Sequence, residues 1–173
     1  MIFKKFIIIF SIFFTLQTYL YANTVYFLDT KILLNKSTAG KKAQDLLKNK
    51  LEQGSKNIAN KEKNLLSEEK KIIEQKKVLS NEEYKKKVNE LRKKVSTLQK
   101  ERVSLLKEVS DKRAKAKKKL LETLNPIVKK YMVEKNIKIV LDKKSVLLAD
   151  DNLDITNEII ELLNKELKSI NLN

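Results

Sequence analysis

The chain has 173 residues, with 38 Lys and Arg against 22 Asp and Glu, which gives a formal net charge of +16. It contains no Cys and no His, and only two Gly and one Pro. These counts exclude a disulfide framework, a thiolate nucleophile, an imidazole base and a glycine-rich phosphate loop. No catalytic constellation emerges from the remaining residue types. We therefore expect no enzyme, no catalytic residues, no cofactor and no metal site.

Residues 1–22 have the layout of a secretory signal peptide. Lys4 and Lys5 form a positive n-region, residues 6–14 are apolar, and the small residue Ala22 ends the segment. The alternative is an uncleaved membrane anchor, but polar residues interrupt the apolar run before it reaches the roughly 20 residues that a span requires. We predict that the chain is exported and that the signal is cleaved near Ala22.

The middle of the chain has the periodicity of supercoiled helices. Apolar residues recur every seven positions in the first half, where Leu66 and Ile73 widen the apolar stripe. In the second half Arg102 interrupts apolar residues that recur at spacings of three and four, namely Tyr84, Val88, Leu91, Val95, Leu98, Leu105 and Val109. The alternate positions of the first half are small or polar, so only half of the helix seam is apolar. The apolar series is Leu51, Ile58, Leu65, Ile72 and Leu79, and the alternate series is Gly54, Lys61, Glu68 and Gln75. We expect Gly54 and the polar positions to soften this arm.

A helix start lies in the middle of this region. Ser80 and Glu83 form a capping-box signature, which marks the first turn of a new helix. The chain should therefore bend near residue 80 into an antiparallel hairpin with arms at 41–79 and 81–119, each about 60 Å long at 1.5 Å per residue. The alternative is one continuous helix of about 80 residues in a dimer, at the same rise per residue.

The flanking segments, 23–40 and 120–173, predict a small body. Strand patterns lie at 24–28, 137–142 and 146–149, and a turn at Lys143 and Lys144 would join the last two. Pro126 should kink the preceding helix or begin a new first turn, and Asp154 should cap the last helix. The fold class is α+β and mostly α. Because so small a core rarely suffices alone, we expect a shared, oligomeric body.

After residue 22, the whole excess of positive over negative charge lies on the arms. Residues 41–120 hold 26 basic and 12 acidic groups, whereas the rest of the chain after residue 22 holds ten of each. Within 70–95, ten basic groups oppose four acidic ones, and Lys115 and Lys117 to Lys119 form a second cluster near the body. The ten basic residues near the bend are the candidate binding residues, namely Lys70, Lys71, Lys76, Lys77, Lys85, Lys86, Lys87, Arg92, Lys93 and Lys94.

Three interpretations of this charge remain open from the residues alone. A solvated coiled-coil surface in a Lys-rich proteome explains many lysines, but it predicts an excess in the body too. Nucleic-acid binding is disfavoured because Tyr84 is the one aromatic residue of the arms and Lys outnumbers Arg there by 23 to 3. Capture of an acidic, partly apolar partner outside the cytoplasm fits both the charge and the weak apolar seam.

The two ends of the exported chain resemble the Skp/OmpH family of periplasmic chaperones. The first end is an opening strand and helical turn, and the second is a strand ending in Asp, a further strand and a D-I-T-x-E motif followed by apolar residues. The segments that carry the resemblance are 25–29, 32–35, 138–142, 146–150 and 154–160.

The resemblance implies a periplasmic homotrimer in which three helical hairpins enclose a cavity. Family members hold unfolded outer-membrane proteins there without ATP and prevent their aggregation. The resemblance also makes anionic lipid or lipopolysaccharide a candidate partner, although no arm motif places that contact, and it implies no specific nucleic acid. The alternatives are a static envelope coiled coil and a polyanion-binding protein.

Overall fold

The computed structural model describes residues 24–172. The predicted signal peptide, residues 1–22, lies outside the described residues. The elements in chain order are β1 (Val25–Leu28), α1 (Thr30–Lys36), α2 (Thr38–Glu74), α3 (Asn81–Glu134), β2 (Ile139–Asp142) and α4 (Thr156–Glu166), with short 3-10 turns at Gln75–Lys77, Lys143–Ser145 and Asp151–Leu153. The chain is thus mostly helical with one small sheet, as the sequence predicts.

The bend near residue 80 is a complete capping box. The Ser80 hydroxyl accepts a hydrogen bond from the Glu83 backbone N–H, and the Glu83 carboxylate accepts one from the Ser80 backbone N–H. The Ser80 hydroxyl also donates to the Glu83 carboxylate at 2.7 Å. This bond and the bond from the Ser80 backbone N–H stabilise the ionised carboxylate, so the pKa of Glu83 lies below its usual value. The predicted hairpin is confirmed and the single long helix is excluded. The first arm ends at Glu74, before the predicted residue 79, because the 3-10 turn already begins to reverse the chain.

Helix α3 continues without interruption through Pro126 to Glu134. The predicted new first turn at Pro126 is therefore wrong. Proline removes one helical hydrogen bond and disfavours the preceding turn. Leu120 and Leu124, both 3% exposed, anchor this part of the helix in the body core, and such burial offsets part of the cost.

The sheet pairs a strand that precedes the helical hairpin with a strand that follows it. Strands β1 and β2 run parallel, with Val25 opposite Ile139 and Leu28 opposite Asp142. The third strand predicted at 146–149 is wrong: Lys143–Ser145 forms a 3-10 turn, and Leu147 and Leu148 are 95% and 91% exposed. Within residues 24–172 no strand pairs with this segment, so its apolar residues do not form a β-ladder.

Apolar side chains from both ends of the chain form the body core. Leu33, Ile159 and Leu163 are fully buried, and Leu28, Ala39, Leu120, Leu124 and Ile155 complete the cluster. Gly40 is required at the start of α2, because a Cβ atom there would lie 1.9 Å from the Leu34 carbonyl oxygen. The body therefore depends on contacts between segments more than 80 positions apart in sequence.

The hydroxyl groups of Thr30 and Thr156 join the segments that precede and follow the hairpin. The Thr30 hydroxyl donates to the Asp142 carboxylate at 2.6 Å, and the Thr156 hydroxyl donates to Asp154 while accepting from the Asp29 backbone N–H at 2.8 Å. Asp154 also accepts the Thr156 backbone N–H at 2.9 Å. Asp154 therefore accepts the first backbone N–H of α4, which is the capping role that the sequence predicts, although the residue at the N-cap position is Ile155.

Replacing Asp154 should make the free energy of unfolding of the body less sensitive to a fall in pH. Burial tends to raise the pKa of Asp154, but hydrogen bonds from Thr156 and from Lys143 outweigh it and lower the pKa below its usual value. The folded pKa is depressed, so the contribution is present above the unfolded value of about 3.9 and is lost as pH falls through the folded value. We expect Asp154→Asn to lower the free energy of unfolding by about 1–2 kcal/mol at pH 7.

Urea unfolding at pH 7 and at a pH below 3 measures this effect, with Asp151→Asn as the control at an exposed position. The difference between wild type and Asp154→Asn should shrink toward zero at the lower pH. An equal deficit at both pH values would show that the charge of Asp154 contributes nothing.

Candidate functional site: the basic helical hairpin

The arm is held together by an apolar seam between α2 and the first two-thirds of α3. Ile58, Ile72 and Val109 are each at most 7% exposed. The seven-residue series identified Ile58 and Ile72, and the spacing of three and four identified Val109, because residues at these spacings share one face of a supercoiled helix. Val95 was predicted in the same seam, but half of its surface is exposed. The seam is therefore narrower on α3 than the sequence pattern indicates.

The polar positions of the seam form a ladder across the hairpin, which we call the cross-arm ladder. Lys61 bonds Glu101 at 2.6 Å, Glu68 bonds Lys94 at 2.6 Å, and Gln75 accepts from Lys87 at 2.9 Å. The positions ascend by seven along α2 and descend by seven along α3, as an antiparallel seven-residue repeat requires. Each polar residue that interrupts the apolar seam thus has a partner on the facing helix.

Gly54 provides a close contact in the seam. A Cβ atom at this position would lie 2.5 Å from Cδ2 of Leu105 and 3.2 Å from its Cγ. The leucine side chain therefore packs directly on the backbone of α2. Sequence reasoning treats Gly54 only as a source of flexibility, and it misses this packing role because the partner lies 51 positions further along the chain.

The ten predicted cationic residues converge on the distal part of the hairpin, which we call the tip (residues 62–98). Nine of the ten side chains are exposed and Lys87 is half-buried. Lys76 lies over the Tyr84 ring, with its Nζ 5.8 Å from the ring centre, and Lys94 is paired with Glu68. The structure brings the ten groups together in space, whereas their role in binding stays a prediction.

An open apolar hollow of about 580 Å³ lies between the helices at the tip. Leu66, Ile73 and Val95 in its lining are 55%, 58% and 50% exposed. Arg92 belongs to the same lining, so a cation borders the apolar surface directly. Sequence reasoning placed Leu66 and Ile73 beside the seam but did not identify a hollow, because its depth depends on how the two helices are spaced.

The hollow ends toward the body at an ion pair. Glu62 and Arg102 meet at 3.1 Å, and both residues also line a smaller hollow of about 130 Å³. Arg102, which breaks the apolar spacing of α3 in the sequence, therefore divides the apolar surface of the arm into two parts. Such an exposed pair is worth at most about 1 kcal/mol, so it is a weak barrier.

The base of the arm holds a different charge arrangement. Glu108 accepts from Lys50 at 2.7 Å and from Lys112 at 3.0 Å. These two cations lower the pKa of Glu108 below its usual value. At the base of the arm, Lys50 and Lys112 are therefore paired with Glu108, while Arg113 and Lys117 to Lys119 are exposed, as most cations of the tip are.

The described part of the chain shows neither a metal-binding cluster nor a membrane span. Within residues 24–172 no group of three or more acidic side chains could hold a metal ion. Across the same residues, no helix combines the length and the apolar character needed to cross a bilayer. What the hairpin offers chemically is a long surface on which apolar patches alternate with cations.

Comparison with known proteins matches this architecture. Residues 24–163 match the family model described as outer membrane protein (OmpH-like). The crystal structure of an OmpH-like protein from Caulobacter crescentus CB15, named as an outer membrane chaperone, aligns with a TM-score of 0.78 at 21% identity, covering 85% of this chain and 87% of that chain. At this identity the alignment shows the fold alone. No curated protein sequence matches the chain.

Reversing the charge of Glu68 in the cross-arm ladder should weaken the association of the two helices at the tip. Reversing the charges of both Glu68 and Lys94 should restore it. Glu68→Lys places a second cation opposite Lys94, and we expect faster amide hydrogen exchange in residues 65–98. The double variant Glu68→Lys with Lys94→Glu should recover most of the protection, with a coupling of about 0.2–1 kcal/mol.

The matched control is Glu69→Lys, which changes the net charge equally at the next position, where no ladder bond forms. If the double variant exchanges as fast as Glu68→Lys, the register inferred from the ladder is incorrect.

Proposed function

Because the chain belongs to the OmpH-like outer membrane protein family, we propose that it is an ATP-independent periplasmic holdase chaperone that binds unfolded outer-membrane proteins between basic helical arms. Such a protein prevents aggregation by occupying apolar surface and does no covalent chemistry. The family membership supports an envelope role, and the geometry of the hairpin supports the mode of action.

The observation that carries this proposal is the coincidence of cations and exposed apolar side chains at the tip. Outer-membrane barrel strands alternate apolar and polar residues, and they expose the apolar ones until they enter a membrane. A shallow hollow bordered by Leu66, Ile73 and Arg92 can cover such side chains without enclosing them. Partial covering favours binding that is loose enough for later release.

The cross-arm ladder supports an adaptable arm. The ion pairs of the ladder are partly exposed, and each pair of this kind contributes about 0–1 kcal/mol to stability. Breaking one pair therefore costs little free energy, while the apolar seam at Ile58 and Ile72 keeps the helices associated. An arm of this kind can widen its hollow for a large client side chain and then close again.

A homotrimer is part of the proposal. Strand β2 has a second edge that pairs with no other strand in residues 24–172, and Ile139 and Leu141 on it are 47% and 39% exposed. The nearby Leu147 and Leu148 are almost fully exposed. Exposed apolar residues beside an open strand edge favour association between copies. Three copies would complete the small core and arrange three arms around one cavity.

The basic tip also favours a second candidate, which is binding of a polyanion such as lipopolysaccharide, anionic lipid or nucleic acid. Tyr84 is the one aromatic ring at the tip, so stacking on single-stranded bases is not supported. A gel shift with duplex DNA at physiological salt separates this candidate from the holdase, because charge alone gives binding only at low salt.

The central experiment is the native mass of the complex with and without an unfolded outer-membrane barrel protein, together with light scattering of that client. We expect a trimer of about three chain masses that takes up one client and suppresses its aggregation at stoichiometric concentration. A static envelope coiled coil would leave the client to aggregate.

The variant Val140→Asp tests whether the body holds the subunits together. Val140 is half-buried against the body core beside Tyr26, and an unpaired charge there costs several kcal/mol. We expect the native mass to fall to that of a monomer or the chain to unfold. A folded trimer that survives the substitution would show that the arms hold the subunits together.

Removing charge from the tip should slow client association. We change Lys70, Lys71, Lys85, Lys86 and Lys93 to Gln, since these five are exposed and lie outside the cross-arm ladder. Exposed charges mainly steer encounter and are screened beyond about 8 Å at physiological salt. The on-rate at low salt should fall by about tenfold with a flatter salt dependence, and the off-rate should change less.

The matched control removes the same charge far from the tip, by changing Lys41, Lys42, Lys119, Lys129 and Lys135 to Gln. Stopped-flow binding of a fluorescent client measures both variants. Equal on-rates for the two variants would mean that net charge, not the position of the cations, governs encounter.

A further inference from the structure

After α4 the chain turns back toward the arm, in a part that we call the return segment (residues 167–172). Leu167 is extended, and Ile170 packs against both the body core and the base of the arm. Leu172 is 4% exposed and lies in a cluster with four residues of the two arm helices. Those four residues are Ala43, Leu47, Val109 and Ala116.

The return segment binds the arm as an extended strand would. Ile170 is half-buried, Asn171 is exposed and Leu172 is buried, which is the alternation of an extended chain lying on an apolar surface. Two of the residues beneath it, Ala43 and Ala116, have the smallest apolar side chains. They therefore leave a recess that can admit a larger side chain from a chain that crosses the helices.

The surface beneath the return segment, which we call the root groove, is formed by Ala43, Leu47, Val109 and Ala116. Three of these residues, Ala43, Leu47 and Ala116, also line an adjacent open hollow of about 570 Å³. Lys48, Arg113 and Lys117 border this hollow, and Asp45 is the acidic residue in its lining. Residues 167–172 do not line the hollow, so it stays open while the return segment covers the root groove.

We propose that the root groove is a binding site for extended polypeptide segments with apolar side chains at alternate positions, and that the return segment is its resident occupant. This inference rests on the proposed holdase function and gives it a second contact area. The strands of an unfolded barrel protein carry apolar residues at alternate positions, as Ile170 and Leu172 do. A client strand would displace the return segment, so the root groove is covered in the free protein and accepts a client only after the segment leaves it.

A peptide corresponding to residues 166–172, Glu-Leu-Lys-Ser-Ile-Asn-Leu, tests the site in the full chain. In the wild type the tethered segment competes with the peptide at an effective concentration on the order of millimolar. The double variant Ile170→Asn with Leu172→Asn removes that competition. We expect fluorescence anisotropy to show the labelled peptide binding the double variant about tenfold more tightly than the wild type. Ser169→Asn, at an exposed position of the same segment, should bind like the wild type.

Two further measurements identify the groove. A peptide with Asn in place of both Ile170 and Leu172 should not bind, and a photoreactive group at the Leu172 position of the unchanged peptide should label residues near Ala43 and Ala116. Equal affinity of the wild type and the double variant would overturn the proposal, as would equal binding of the Asn-substituted peptide. If the double variant loses helical content, Leu172→Ala gives the same comparison with a smaller expected gain of about threefold.

Competition with an unfolded outer-membrane barrel protein separates this inference from the proposed function. We expect the client to displace the peptide from the double variant. A client that is protected from aggregation but leaves the peptide bound would refute client entry into the root groove and leave the holdase function intact. If the wild type fails to protect the client, the holdase function is refuted, whereas tighter peptide binding by the double variant would still support the groove.

Discussion

The arrangement of the arm depends on a seam that is only half apolar. Apolar residues such as Ile58 and Ile72 hold the two helices together, and the polar residues between them are matched one by one across the hairpin. An unmatched Lys or Glu in such a seam would favour another register, because it would lose its partner. The cross-arm ladder therefore contributes more to the choice of register than to stability, and it leaves the arm easy to open.

The body has the opposite character. Its two strands are neighbours in space although the whole helical hairpin separates them in sequence, and closing so long a loop carries an entropic cost. The fully buried Leu33, Ile159 and Leu163 and the contacts of Thr30 and Thr156 offset that cost. Buried contacts between segments distant in sequence are thus concentrated in the body.

Local signals in the sequence predict the features that depend on neighbouring residues. Ser80 and Glu83 predict the bend because a capping box is complete within four positions, and the seven-residue repeat predicts the seam. The features that sequence reasoning misses are contacts between distant segments. Ile170 and Leu172 alternate with polar residues over a stretch too short to define a period, so nothing nearby indicates that Leu172 packs on Ala43 and Ala116. The strand predicted at 146–149 is wrong for a similar reason, because an apolar run forms a β-strand only where a partner strand lies beside it.

The distribution of charge resolves a conflict in the proposed function. A holdase must expose apolar surface to its clients, yet exposed apolar surface also promotes association between copies of the protein itself. At the tip, Leu66, Ile73 and Val95 are each at least half exposed, and ten basic groups within residues 70–95 surround them. Like charges on neighbouring arms repel, and this repulsion opposes self-association more strongly than it opposes the approach of a client that carries less positive charge. At the base of the arm, Lys48, Arg113 and Lys117 border the hollow beside the root groove, and the return segment covers the root groove itself. Charge alone thus opposes self-association at the tip, whereas at the base of the arm bordering charge and a covering segment act together.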